Sequence, residues 1–266
     1  MQERAGAARD RILSRPEPEL NSMSLGSTMV PDSAMVWHLP SDDQRACLEK
    51  LLTVASDRRE PAVNRQAALI GARNLVAAQE PEPKRTTFRT SQPFVAGTHD
   101  GSRLDEFTGQ AHPLSTLKIN LGSASLRGHG LRLAAASATT ADEQKWVKEQ
   151  AVELLRIDDA TDVQEAALAL NGLPRDVTAD IDARALAGHS HIAARQLSAV
   201  LCMQQPQSFA DTTTLLAADP SVRVRRTLAE AATAHSGPDA PPVVAELLDR
   251  LSKDPRHSVR VLVRPR

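Results

Sequence analysis

The feature that most constrains this chain is a recurrence. A β-branched residue or leucine, preceded by a small or acidic stretch and followed by small apolar residues, stands at Val63, Leu131, Val163, Ile192, Val224 and Val259. From Leu131 onward, subtraction of positions gives intervals of 32, 29, 32 and 35 residues, and Val63 to Leu131 is 68, or twice 34. A period of this length holds one helix, a turn and a second helix, repeated so that each unit hides its apolar face on its neighbours. Four residues after the anchors stand Ala67, Ala135, Ala167, Gln196 and Leu228; seven after stand Ile70, Ala138, Leu170, Ala199 and Ala231. Positions i, i+4 and i+7 share one helical face, and alanine there lets helices approach closely. Gln196 is the departure.

Composition points the same way. Aromatic residues make up only 2% of the chain against 41% hydrophobic, so the interior is built from Ala, Leu and Val, which suits close-packed helices better than a sandwich or barrel. The second helix of each unit often ends in paired leucines: Leu51 and Leu52, Leu154 and Leu155, Leu215 and Leu216, Leu247 and Leu248. Between Glu143 and Ile157, Val147, Ala151 and Leu155 form an amphipathic stripe with Trp146 and Leu154 alongside. Thr161 with Gln164 reads as a capping box and Gly172 with Pro174 as a stop. Thr178 and Ser190 read as N-caps, with Gly188 closing the helix between them. Asp219-Pro220 and Asp254-Pro255 each end one helix and start another.

The run Asp219-Pro220-Ser221-Val222-Arg223-Val224-Arg225-Arg226-Thr227-Leu228-Ala229 resembles the Asp-Pro…Val-Arg…Ala/Leu signature of bacterial HEAT repeats, and Asp254-Pro255-Arg256-His257-Ser258-Val259-Arg260 repeats it. The pattern is similar also to leucine-rich variant repeats, where a Pro-initiated helix like that at Ala240-Pro241-Pro242-Val243-Val244 precedes such a segment; the 35-residue interval favours HEAT. The resemblance covers Leu126 to Arg266 well and Ser41 to Val76 loosely. It implies an all-α chain, an α-solenoid of HEAT-like antiparallel helix pairs. The expected organisation is a flexible or loosely packed arm over 1–40, a degenerate helix pair over 41–78, an irregular Pro-rich insertion over 79–124 and the repeat array over 125–266. The arginine that follows the anchor is present at Arg132, Arg225 and Arg260 but replaced by Asn64, Gln164 and Ala193, which leaves open the inter-repeat Asp/Arg pairing in the middle of the array. Within the insertion, Pro81, Pro83, Pro93 and Pro113 accompany Phe88, Phe94 and Phe107, and Thr86 to Thr90 alternates as a short strand would.

Lys and Arg number 32 against 33 Asp and Glu, so the chain as a whole carries no signature for nucleic acid or an anionic membrane. Residues 142–184 are nonetheless acid-rich and those from Asp219 onward base-rich. The charged start has no apolar segment after it and eighteen apolar residues nowhere run together, so a cytoplasmic protein with no membrane span is expected. Cys47 and Cys202 lie far apart in apolar-periodic stretches, as buried reduced thiols do.

Catalytic chemistry finds little support. His189 and His191 are two apart, the wrong spacing for one helical face, and lack a third ligand. None of the eight histidines precedes a glutamate, which removes the di-iron arrangement of some HEAT-like enzymes. No nucleophile elbow, dinucleotide fingerprint or P-loop occurs, and Gly128-His129-Gly130 reads as a turn before a helix. Asp158 to Asp162 reads as a solvated, helix-capping run. No catalytic, cofactor or metal residue is named. Arg223, Arg226 and Arg256 could form a basic patch for phosphate or an acidic partner.

The expected function is a non-enzymatic helical-repeat scaffold that holds a protein or peptide on its concave face, lined from Glu143 to Arg156, Thr178 to Ala187, Phe209 to Leu216 and Val243 to Ser252. One alternative is a nucleic-acid-binding solenoid that uses the basic repeats. A second is a HEAT-like enzyme of base-excision glycosylase or bilin lyase type, for which Trp37, Trp146 and an acid would have to converge. Val259 to Arg266 stops partway through a repeat, where fraying, a partner or self-association is expected.

Overall fold

A computed structural model of the chain describes residues 2–14, 32–33, 35–36, 38–78, 120–237 and 240–263. The insertion's phenylalanines and Thr86–Thr90 alternation, and Trp37, lie outside these residues. Among the described residues all regular structure is helical. The helices are α1 (Gln2–Leu13), α2 (Ser41–Ser56), α3 (Ala62–Ala78), α4 (Arg127–Ser137), α5 (Ala141–Leu155), α6 (Ala160–Gly172), α7 (Arg175–Thr178), α8 (Ala183–Ala187), α9 (Ile192–Cys202), α10 (Ala210–Ala217), α11 (Val222–Ala234), α12 (Pro242–Ser252) and α13 (His257–Arg260). They divide into two compact units whose boundary falls at Gln150 and Ala151, within α5. α4 packs on α3 and so belongs to the first unit.

In the first unit α1 packs on α2, α2 on α3 and α3 on α4. Asp42 and Asp43 in the first turn of α2 complement the positive end of its dipole. Farther along, Cys47, Leu48, Leu51 and Leu52 are buried and enter a core shared with Leu69 and Leu75 of α3 and Leu133 of α4. Gly71 lets α3 come close, since a Cβ there would stand 3.3 Å from Leu51 Cδ1 and 3.4 Å from Ser33. Within the N-terminal segment α1 is packed: Ala5, Ala8 and Ile12 are buried and Arg9 pairs with Asp43 at 3.2 Å. Alanines at helical spacing made that close seat achievable.

In the second unit the helices pack in two rows. One row runs α6, α9, α11, α13; the other runs α8, α10, α12, with α8 and α10 also against α9 and α12 against α11. Alanine and leucine fill the space between them: Val163, Ala167 and Leu170 of α6, Ala194 and Leu197 of α9, Val224 and Leu228 of α11 and Val244 and Leu251 of α12 are all buried. Burying each leucine stabilises the unit by about 1.5–3 kcal/mol. Gln196, the departure from the apolar pattern, is accounted for: its Nε2 donates to Thr227 Oγ1 at 2.9 Å and so joins α9 to α11.

Several helix ends differ from the sequence reading. The N-cap of α6 is Asp159, whose carboxylate accepts from the Thr161 and Asp162 amides at 2.9 Å each, so Thr161 and Gln164 already lie inside the helix. Thr178 ends α7 and turns its hydroxyl back on the Pro174 and Arg175 carbonyls, leaving Asp182 to cap α8. His191, not Ser190, is the N-cap of α9. The reciprocal box is at α5, where Glu143 N donates to Thr140 Oγ1 at 3.3 Å and Thr140 N to Glu143 Oε2 at 3.1 Å.

Candidate functional site

The second unit is organised around three arginines. Arg195, Arg225 and Arg260 are each the fourth residue of their helix, 30 and 35 residues apart by subtraction. Each points Nη1 back to the turn leading into its own helix, onto the carbonyls six and five residues earlier. Arg195 donates to His189 O at 2.9 Å and Ser190 O at 2.8 Å. Arg225 donates to Asp219 O at 2.6 Å and Pro220 O at 3.5 Å. Arg260 donates to Asp254 O at 2.6 Å and Pro255 O at 2.9 Å.

The other edge of the guanidinium reaches forward to the next turn. Arg195 Nε donates to Asp219 Oδ2 at 2.7 Å and its Nη2 to Oδ1 at 3.4 Å. Arg225 Nε donates to Asp254 Oδ2 at 2.6 Å and its Nη2 to Oδ1 at 3.3 Å. The planar fork of arginine matches a carboxylate in this two-point manner, which an ammonium cannot do. Each aspartate also accepts the amide two residues on, Ser221 N or Arg256 N, at 2.7 Å. With both donors in place the pairs tolerate burial: the arginine side chains are 14% and 11% exposed, the aspartates 6% and 4%. Burial by itself would raise the Asp254 pKa, but the hydrogen bond from Arg225, the Arg256 amide and the charges of Arg225 and Arg260 outweigh it and hold the carboxyl below its ordinary value.

His189 fills the aspartate's place in the first turn. Its Nδ1 accepts from His191 N at 3.0 Å, as the aspartates accept two residues on. The proton is thereby placed on Nε2, which donates to Leu155 O at 3.0 Å. Val163 is the fourth residue of α6, so no guanidinium stands there to meet a carboxylate. Both histidines are thus struts: His191 Nε2 lies 3.0 Å from Asp158 Oδ1.

The structure corrects the sequence register at this point. Ile192 is 38% exposed and is not the anchor; Ala194, two residues on, is fully buried in the position of Val224 and Val259. The residue after Ala194 is Arg195, so an Asp/Arg pair is present where Ala193 had left it open. Val63 is likewise 49% exposed, beside buried Asn64. Arg65, again fourth in its helix, donates instead to Ala55 O at 3.1 Å and to Asn120 Oδ1 at 2.6 Å.

The chain matches no family model and no curated protein.

Of the basic patch, Arg223 and Arg256 are exposed at the starts of α11 and α13, ends that the Arg225 and Asp254 pair draws together. Arg226 turns along its own helix toward Glu230 at 3.7 Å. Gly128-His129-Gly130 is not a turn but the first turns of α4, with both glycines buried and His129 Nε2 2.8 Å from Gln66 Nε2 of α3. Asp158 is solvated as expected, whereas Asp162 is 2% exposed. Trp146 is half-buried on α5. Cys47 and Cys202 are buried, and that burial pushes both thiols up to about 11. Among the described residues no His, Cys, Asp and Glu group could hold a metal, and no helix is long and apolar enough to cross a membrane.

The α8, α10, α12 row leaves polar and apolar side chains to solvent. Leu215 of α10 is 59% exposed, and Arg184 of α8 lies over the Phe209 ring, 5.5 Å from its centroid. Glu246, Asp249 and Arg250 are the exposed charges of α12.

Proposed function

We propose that the second unit is a stack of HEAT-like helix pairs and that the chain is a helical-repeat module holding a protein or peptide partner along the α8, α10, α12 row, with no catalytic group of its own. The observation that carries this reading is the repetition of one arginine geometry at 195, 225 and 260, each guanidinium bound to the carbonyls six and five residues earlier. A bond set that recurs with the sequence period is what stacked, nearest-neighbour units require. The stack exposes side chains of successive second helices in line, and along this row they combine an exposed leucine, an arginine seated on an aromatic ring and charges of both signs. Aromatic and arginine anchors within a polar surround are the make-up of protein-binding surfaces.

A photo-crosslinking residue in place of Leu215, compared with one in place of Arg223 on the other row, tests the proposal in cells. One protein captured from position 215 and not from 223 is the expected result. Capture of nucleic acid from position 223, with binding that weakens steeply as salt rises, would replace this reading with the nucleic-acid one.

A further inference from the structure

Three turns of the second unit make the same bond with different chemistry. In the turns before α11 and α13 the acceptor is a carboxylate oxygen: Asp219 Oδ1 takes Ser221 N and Asp254 Oδ1 takes Arg256 N, at 2.7 Å each. In the turn before α9 the acceptor is His189 Nδ1, which takes His191 N at 3.0 Å. A carboxylate stays ionised down to about pH 4, whereas an imidazole takes a second proton around pH 6.5 and then has a donor on both nitrogens. Because Leu155 O, 3.0 Å from Nε2, can only accept, the second proton must enter at Nδ1, where it meets the His191 N–H. The bond to His191 is then lost, while the bond to Leu155 is kept and becomes charge-assisted.

We propose that the turn between α8 and α9 is a pH-operated switch, closed while His189 is neutral and opened when His189 takes its second proton. The charges around the turn make the open form attainable. Asp158 lies 3.0 Å from His191 Nε2, and the two imidazole centroids are 5.5 Å apart, so this carboxylate favours positive charge on the histidine pair. Asp162 and Glu165 add charge of the same sign from α6, the helix packed on α9. Arg195, the cation that binds the His189 carbonyl, is matched by Asp219, and Arg184 of α8 is turned to the Phe209 ring. Acid thus exchanges one hydrogen bond for a Coulombic attraction and leaves the unit folded. What changes is the entry to α9. The His189 and Ser190 carbonyls held by Arg195 Nη1 belong to the two residues that the lost bond frees, and Ile192, 38% exposed, follows them. The entries to α11 and α13 keep their bonds over the same range. The switch is independent of which partner the α8, α10, α12 row holds.

Backbone amide exchange of the full chain, corrected for the intrinsic effect of pH, is read at about pH 7.5 and about pH 5.5, either side of the imidazole value. The protonated fraction rises about tenfold across that interval, so protection of the His191 amide is expected to fall about tenfold, and that of the Ser221 and Arg256 amides by less than about twofold. His189→Asn keeps an acceptor near the position of Nδ1 and does not titrate, so it should abolish the fall. His191→Gln removes the imidazole beside Asp158 and should leave the fall in place. Unchanged protection in the unaltered chain overturns the proposal, as does a fall that survives H189N, that H191Q abolishes, or that Ser221 and Arg256 share. Imidazole nitrogen resonances of the unaltered chain need no variant. They should place the proton of neutral His189 on Nε2; a proton on Nδ1 at about pH 7.5 refutes the switch even if H189N fails to fold.

Discussion

Removing one guanidinium from the ladder should cost far more than removing an exposed one a few ångströms of chain away. In Arg225→Met, Asp254 keeps the Arg256 amide but loses both fork bonds, and it is 4% exposed, so water cannot replace them. The Asp219 and Pro220 carbonyls lose their donor as well. Leaving a buried charge without its partner costs about 3–5 kcal/mol. Asp254→Asn is destabilising too, yet the double variant removes both charges, so its loss should fall short of the sum of the single losses by at least about 1 kcal/mol. Arg223→Met, on an exposed side chain, should stay within about 0.5 kcal/mol. Urea unfolding followed by far-ultraviolet circular dichroism measures the losses, and amide hydrogen exchange over α11 to α13 locates them in the second unit. A loss below about 1 kcal/mol for Arg225→Met, or strict additivity in the double variant, would refute the reasoning.

Asp254 also sets a pH dependence. Its pKa is depressed in the folded chain, so its contribution is fully present above the ordinary carboxylate value near 4 and is lost as pH falls through the lower folded value. Asp254→Asn should therefore flatten the acid limb of a stability profile. Cys202, buried with its thiol raised to about 11, should resist a thiol reagent at pH 8 until urea is added; rapid native labelling would contradict the packing around Ser198 and Ala183. Asp159→Ala should cost about 0.5–2 kcal/mol through loss of the α6 cap, read in the same urea experiment.

Helices were legible because alanine and leucine repeat on one face, and the all-α class follows from that. The register in the middle was not, because apolarity singled out Ile192, while the buried residue there is an alanine like many others. A polar signal carried the phase instead: a hydrogen-bond acceptor six residues before an arginine recurs as His189 and Arg195, Asp219 and Arg225, Asp254 and Arg260. The histidine conceals the series, since its equivalence to aspartate lies in one accepted amide bond and not in charge. Caps failed where several candidates crowd together, as at Asp159 and Thr161, for only the backbone decides which oxygen faces the open amides. The candidate surface was less readable still. Leu215 and Leu216 are adjacent and identical, and it takes the seating of α10 against α8, α9, α11 and α12 to bury one and expose the other.

The guanidinium bonds of Arg195 and Arg225 lie at the N-terminal ends of α9 and α11, where each joins two successive turns. Between α8 and the start of α10 the guanidinium bond is a single one, Arg184 Nη2 to Ser208 O at 3.0 Å, which leaves more play than a forked ion pair. The second unit is therefore expected to flex by a change in the width between α8, α10 and α12 while the turns joined by Arg195 and Arg225 keep their spacing.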